Sequence, residues 1–246
     1  MENALRIGLS RQMALQTQMN VIANNLANLN TAGFKRDLVQ MEEFPIPVAE
    51  MTELSGQDKK LSYTHDRAVV KNMSTGPIRQ SGNELDVAIS GEGWFTINTP
   101  NGERYTRNGE FKLNQEGTLV TNEGLPVLSE AGEINFGPNE TNITIARDGT
   151  ISSSDGIKGK LKLVTFENEQ DLKKEGFNLF SSPNPANPLA APNLMQGMVE
   201  QSNVKPVLEL TKMIETVRAY TSQARTIQKT EELKTDAINK LAQMPR

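Results

Sequence analysis

Apolar and small residues recur at alternating steps of three and four along the first thirty positions: Leu5, Gly8, Gln12, Leu15, Met19, Ile22, Leu26 and Leu29. That spacing predicts an amphipathic helix with a heptad seam, imperfect at Gly8 and Gln12. Asn30-Thr31-Ala32-Gly33 supplies a stop, with Gly33 suited to a left-handed cap. The other end of the chain repeats the pattern. Met213, Val217, Tyr220, Ala224, Ile227, Ile238 and Leu241 share one three–four register; Val207, Leu210, Ile214, Val217, Thr221 and Ala224 share a neighbouring one. The C-terminal stripe is therefore broader than a strict dimer seam and predicts contacts on more than one side of the helix. Asn203 is its expected N-cap, and Pro206 is tolerable in the first turn.

Between these ends the period changes to two. Leu85-Asp86-Val87-Ala88-Ile89, Trp94-Phe95-Thr96-Ile97 and the run from Lys158 to Val164 alternate, and Gly-containing turns recur at Asn101-Gly102, Asn108-Gly109, Glu116-Gly117, Glu123-Gly124 and Ala131-Gly132. Short strands joined by tight turns follow. The expected fold is mainly β with long terminal α-helices. Its parts are an N-terminal helix over 1–34, an extended connector over 35–76, a central all-β domain over 77–182, a Pro-rich return linker over 183–202 and a C-terminal helix over 203–246. Four of the twelve prolines fall within 183–192.

Composition adds a constraint. Leu, Ile, Val and Phe make up 58 of 246 residues, just above the level at which disorder becomes the default, and Asn is as frequent as Leu at 23 each. Some apolar surface is expected to need a partner. The net charge of −4 is split: residues 1–36 and 205–246 each carry +3, and the middle carries −10. An acidic balance argues against nucleic-acid binding. No apolar run is long enough to span a membrane. The N-terminus lacks the apolar segment and cleavage site of a Sec-type signal peptide.

The candidate chemistry is sparse. Without Cys there is no disulfide, thiolate metal site or Cys nucleophile. A lone His65, with no Gly-x-Ser-x-Gly elbow, leaves neither a multi-histidine metal site nor a hydrolase triad, and in Ser-Tyr-Thr-His-Asp-Arg it reads as a surface-loop residue. Gly91-Glu92-Gly93 lacks the third glycine of a dinucleotide fingerprint and reads as a turn between strands. A carboxylate pair acting on glycan stays open on spacing alone, although most acids sit in turns or beside basic residues. Trp94, Phe95, Tyr105 and Phe111 read as sheet core, with a ligand groove as the alternative. No catalytic residue, metal or cofactor is assigned.

Three motifs then combine. VIANNLANLNTAGFKR at 21–36 resembles the N-terminal signature of the flagellar basal-body rod and hook protein family. LDVAISGEGWF at 85–95, followed by RYTRNGEFKLNQEGTLVTNEGLPVL at 104–128, resembles its shared β-domain. SNVKPVLELTKMIETVRAYTSQARTIQ at 202–228 resembles its C-terminal helix motif. The short chain, with no insertion ahead of the β-domain, resembles a proximal-rod member; a distal-rod or hook-family subunit is the alternative. The resemblance implies a structural subunit, not an enzyme. Its terminal helices would pair into a coiled-coil-like layer lining a helical tube that crosses the periplasm and carries torque, with the β-domain outside. It implies copies of itself and other flagellar rod proteins as partners. It also implies passage through the flagellar type III export apparatus without a cleaved signal.

The expected assembly residues are Leu15, Met19, Ile22, Asn24, Asn25, Leu26, Asn28, Leu29, Gly33 and Phe34 at one end. At the other they are Val207, Leu210, Ile214, Val217, Tyr220, Ala224 and Ile227. The asparagines are poor helix formers, and their use inside a helix points to register-fixing hydrogen bonds against neighbours, with solvent-facing side chains as the other reading.

Overall fold

The computed structural model describes residues 2–47, 60–138 and 140–242, with side chains over 5–40, 69–138 and 140–240. The chain divides into two compact units, one built from 1–27, 37–71 and 205–246, the other from 28–36 and 72–204.

The first unit holds two helices and a hairpin. Helix α1 (Glu2–Ala27) and helix α2 (Pro206–Ala242) pack on each other, and α1 also packs on strands β1 (Asp37–Pro47) and β2 (Lys60–Lys71). Gly8, an imperfection in the heptad seam, is buried where α1 meets α2. A Cβ there would lie 3.0 Å from Gln223 Nε2 and 3.2 Å from Ile227 Cγ1, so the missing side chain is what lets the helices approach. Strands β1 and β2 are antiparallel, from Asp37 opposite Lys71 to Pro47 opposite Lys60, with one irregularity at Gln40/Met41. The stretch expected as an extended connector thus carries two long paired strands. His65 lies in β2 instead of a loop; its side chain is outside the described residues. Asn203 does not cap α2. Pro206 occupies the first helical position, where its missing N–H costs nothing, and Lys205 O accepts from Glu209 N at 3.1 Å.

The second unit is built of short strands, with one 3-10 turn at Glu169–Asp171. Its strands are β3 (Ile78–Gln80), β4 (Val87–Ile89), β5 (Trp94–Thr99), β6 (Gly102–Thr106), β7 (Phe111–Leu113), β8 (Leu119–Thr121), β9 (Leu128–Ser129) and β10 (Gly132–Glu133). There follow β11 (Thr144–Ile145), β12 (Thr150–Ser153), β13 (Gly156–Lys160), β14 (Leu163–Thr165), β15 (Lys173–Lys174), β16 (Phe180–Ser181), β17 (Asn187–Pro188), β18 (Leu194–Gln196) and β19 (Met198–Glu200). The largest sheet runs β15-β16-β6-β5-β14-β17, and β18 pairs with β4 and β19 with β3. The segment expected as a return linker therefore supplies three strands. Pro188 is accommodated because β17 is an edge strand, where a missing donor breaks no ladder. Asn101-Gly102 closes the β5–β6 hairpin as expected, whereas Gly109 O accepts from Val87 N at 3.0 Å in a close backbone crossing.

Both faces of the large sheet are covered, which follows from the alternation along β5. Phe95 and Ile97 join Val87, Phe111, Leu119 and Ile151 in one core; Trp94 joins Tyr105, Val164, Phe166, Leu172 and Phe180 in another. The aromatic cluster is thus core, with edge-on pairs at 5.0 Å (Trp94–Phe180) and 5.1 Å (Phe95–Phe111). Among the described residues no helix is long and apolar enough to cross a membrane.

Candidate assembly surface

Three of the expected assembly positions, Asn25, Gly33 and Phe34, are buried within their own units. In the first unit Asn25 is buried and its carboxamide mimics a strand neighbour. Asp37 N donates to Asn25 Oδ1 at 2.9 Å, and Asn25 Nδ2 donates to Asp37 O at 2.8 Å and to the buried Glu209 carboxylate at 3.3 Å. Asp37 in turn accepts from Lys71 Nζ at 3.0 Å. One asparagine thus ties α1 to β1 and α2 of its own chain, where a contact with a neighbour was expected. Asn24 is exposed, and Asn28 Oδ1 accepts from Thr31 Oγ1 at 3.1 Å.

In the second unit Gly33, Phe34 and Lys35 are buried. Gly33 does not end the helix, which stops at Ala27; it seats a loop. Its φ is +67°, and a Cβ would lie 2.5 Å from Arg107 C and Asn108 N, so only glycine fits on both counts. Gly33 N donates to Glu200 O at 2.8 Å. Phe34 is 1% exposed, with Lys174 Nζ 4.1 Å over its ring, and is therefore consumed inside its own unit. Lys35 Nζ donates to Glu200 Oε1 at 2.8 Å and Ser74 O at 3.0 Å. The same carboxylate accepts from Gly76 N at 2.9 Å and Arg107 Nη1 at 3.5 Å. Burial pushes Lys35 and Arg107 below their ordinary pKa values, with Glu200 opposing the shift. Asn203 completes the clamp. It accepts from Arg36 N at 2.8 Å and donates to Asn72 O at 2.8 Å and Ser74 O at 2.9 Å.

The remaining expected residues divide by face. On α1, Ile22 is buried, Leu15, Met19 and Leu26 are half-buried, and Leu9 and Met13 are exposed; Leu29, in the second unit, is half-buried. On α2, Glu209, Met213, Thr216, Tyr220, Ala224 and Ile227 follow the covered face. Val207, Leu210, Ile214 and Val217 form a second row, roughly a third of a turn around the helix at 100° per residue. These four are exposed by 74, 48, 53 and 42%. The two registers expected from the sequence share Val217 and Ala224, and the structure divides them differently: Val217 lies in the open row, Ala224 on the covered face, and Ile238 of the first register is exposed. Leu208, Leu233 and Ile238 are also exposed and extend the apolar surface beyond the expected set. Lys35, Arg107, Glu200 and Glu209 were not anticipated, since nothing local marks a charge for burial. The one available signal was polar residues on otherwise apolar motif faces.

Three family descriptions match successive parts of the chain. They are "Flagella basal body rod protein" over 5–35, "Flagellar hook protein FlgE/F/G D1 domain" over 88–153 and "Flagellar basal body rod FlgEFG protein C-terminal" over 195–240. The chain is 39% identical over 248 residues to the flagellar basal-body rod protein FlgF of Caulobacter vibrioides, covering 99% of this chain and 100% of that one. It is 33% identical to the FlgF of Mesorhizobium japonicum over 98% of both chains. It is also 37% identical to a FlgG of Buchnera aphidicola over 94% of this chain and 95% of the relative.

Proposed function

The chain belongs to the flagellar basal-body rod protein family and is a structural subunit of that rod, and we propose that it builds the proximal segment by burying the open flank of α2 against neighbouring subunits. The observation that carries this is the row Val207, Leu210, Ile214 and Val217, exposed on a helix whose other face is already covered by α1. Burying such a side chain fully gains about 1.5–3 kcal/mol, so four half-exposed ones leave on the order of 4 kcal/mol to be realised by a partner. A helical tube needs contacts that repeat without closing, and a helix with one face inward and one flank outward can make its own and its neighbour's contacts at once. The full-length match to proteins named FlgF supports the proximal placement.

In this reading the terminal segments 1–34 and 203–246 serve as assembly arms and pair into a coiled-coil-like inner layer. The β unit forms the outer wall. The tube crosses the periplasm and transmits torque; its subunits arrive through the flagellar type III export apparatus without a cleaved signal, and pack on copies of themselves and on other rod proteins. The role is mechanical, with no turnover. Ile214→Asp tests it: the variant should fold its β unit normally, yet fail to restore motility or rods in cells lacking the native chain. Swimming cells with normal rods would sink the reading.

A further inference from the structure

One run of the chain closes the β unit. Residues 194–204 come after every other strand of that unit, yet they hold its first segments. Among the described residues β4 pairs with no strand but β18, Leu194 opposite Ile89 and Gln196 opposite Val87. Strand β3 likewise pairs only with β19, Met198 opposite Gln80 and Glu200 opposite Ile78. Strand β4 is wholly buried, and Leu194 and Val199 are 1% and 3% exposed. Side chains repeat the tie. Gln196 donates to Glu84 O and Ile143 O, both at 2.8 Å, and accepts from Ile145 N at 3.1 Å. Glu200 accepts from Lys35 Nζ and Gly76 N, and Asn203 bridges Arg36 N to Asn72 O. Gln201 N donates to Pro77 O at 2.9 Å, and a Cβ on Gly76 would lie 1.9 Å from Gln201 O, so here backbone meets backbone with no side chain between.

Much of the rest of the unit is local. β5–β6, β7–β8, β9–β10, β12–β13 and β15–β16 are antiparallel pairs of consecutive strands. Short loops of this kind close quickly. The contacts of 194–204 span 112 residues from Gln196 to Glu84 and 165 from Glu200 to Lys35. Closing loops of that length costs entropy before any contact offsets it, and slows folding. Until Glu200 is in place, sealing the region would bury Lys35 and Arg107 without their shared carboxylate, which opposes early closure.

We propose that residues 194–204 are a closing strap, and that their docking on β3, β4 and the 33–36 loop is the rate-limiting last step in folding of the β unit. Because the strap follows the other strands, a growing chain cannot complete this unit until Val204 has emerged. Under the rod reading, on which only this consequence rests, a late-closing subunit stays open long enough for the export apparatus to receive it unfolded.

The Cys-free sequence allows the strap to be fastened in advance. Gln80 and Met198 are directly opposed on β3 and β19, and opposed antiparallel residues have Cα atoms at a spacing that a disulfide bridges. The full chain carrying Gln80→Cys with Met198→Cys would be unfolded briefly in urea, before its prolines isomerise, and refolded by dilution with and without the disulfide. Trp94, 5.5 Å from the Arg107 guanidinium, reports closure by fluorescence. Refolding should be about tenfold faster with the disulfide intact. The same comparison for Asn98→Cys with Glu103→Cys, an opposed pair inside the β5–β6 hairpin, should show no such acceleration. A rate unchanged by the strap disulfide, or raised equally by the hairpin disulfide, overturns the proposal. Val199→Ala supplies a readout that needs no disulfide: its destabilisation should appear chiefly as slower refolding. A variant that refolds at the wild-type rate and only unfolds faster would overturn it too. Both measurements use the purified full chain, so their failure leaves the rod reading standing.

Discussion

Replacing Glu200 by Gln swaps one carboxylate oxygen for an amide nitrogen and should strongly destabilise the β unit. Glu200 is 1% exposed, and its carboxylate is held by Lys35 at 2.8 Å, Gly76 N at 2.9 Å and Arg107 at 3.5 Å. Gln keeps the shape but removes the charge, leaving two buried cations without their nearest counter-charge and turning an amide N–H₂ toward donors. Breaking a buried ion pair from one side costs about 3–5 kcal/mol. Trp94, the only Trp, lies 5.5 Å from the Arg107 guanidinium and reports on this unit by fluorescence. With a urea slope of about 2 kcal/mol per molar, the midpoint should fall by roughly 1.5–2.5 M at neutral pH.

The pH dependence has a defined sign. Burial holds the folded Lys35 below 10.5, so between its lowered value and 10.5 the unfolded chain binds more protons, and stability from this group rises with pH. Loss of Glu200 lowers Lys35 further, so the variant's deficit should shrink as the solution becomes alkaline. Adding Lys35→Met to Glu200→Gln should recover part of the loss, because one uncompensated charge disappears. A midpoint shift below about 0.5 M, or a double variant weaker than Glu200→Gln alone, would refute the argument.

Other substitutions test separate parts. Gly33→Ala must move the Arg107 backbone as well as adopt φ +67°, and should cost more than about 2 kcal/mol by the same fluorescence assay; a neutral change would contradict the close approach. Asn25→Ala removes both main-chain bonds to Asp37 and one partner of Glu209, and should cost roughly 2–4 kcal/mol, read as faster hydrogen exchange at the Asp37 amide; unchanged exchange would deny the clamp. Glu140 is held down to about 2 by Lys158, Ser153 and the Gly137 amide. Its contribution is present above pH 4.5 and is lost as pH falls from there to about 2, so the difference in Tm between wild type and Glu140→Gln should vanish across that window.

The helices were legible because both express a period. Steps of three and four marked both helices and the breadth of the α2 stripe, but Val217 and Ala224 belong to both registers, and only the structure places Ile22 inside and the row Val207, Leu210, Ile214 and Val217 on the open side. The β5–β6 hairpin was legible in Asn101-Gly102 for a similar local reason. Strands β1 and β2 were not, since Pro45 and Pro47 and an acidic run disguise a ribbon that pairs over eleven positions. Residues 183–202 misled in the same way: proline density reads as linker, while pairing at a sheet edge tolerates it. The clamps were beyond any local pattern. Lys35 and Glu200 are 165 residues apart, and only the fold makes a solvated-looking Lys the partner of a buried carboxylate.

The central claim is that neighbours complete the burial of the α2 flank. An Ile214→Cys variant of this Cys-free chain puts a single thiol on that flank, at a position 53% exposed in the free subunit. Its maleimide labelling rate would be compared in the purified subunit and in intact basal bodies. Rapid labelling of the free subunit and protection by tenfold or more in the basal body, about 1.4 kcal/mol of occlusion, is the result the account predicts. Equal labelling in both states would contradict it.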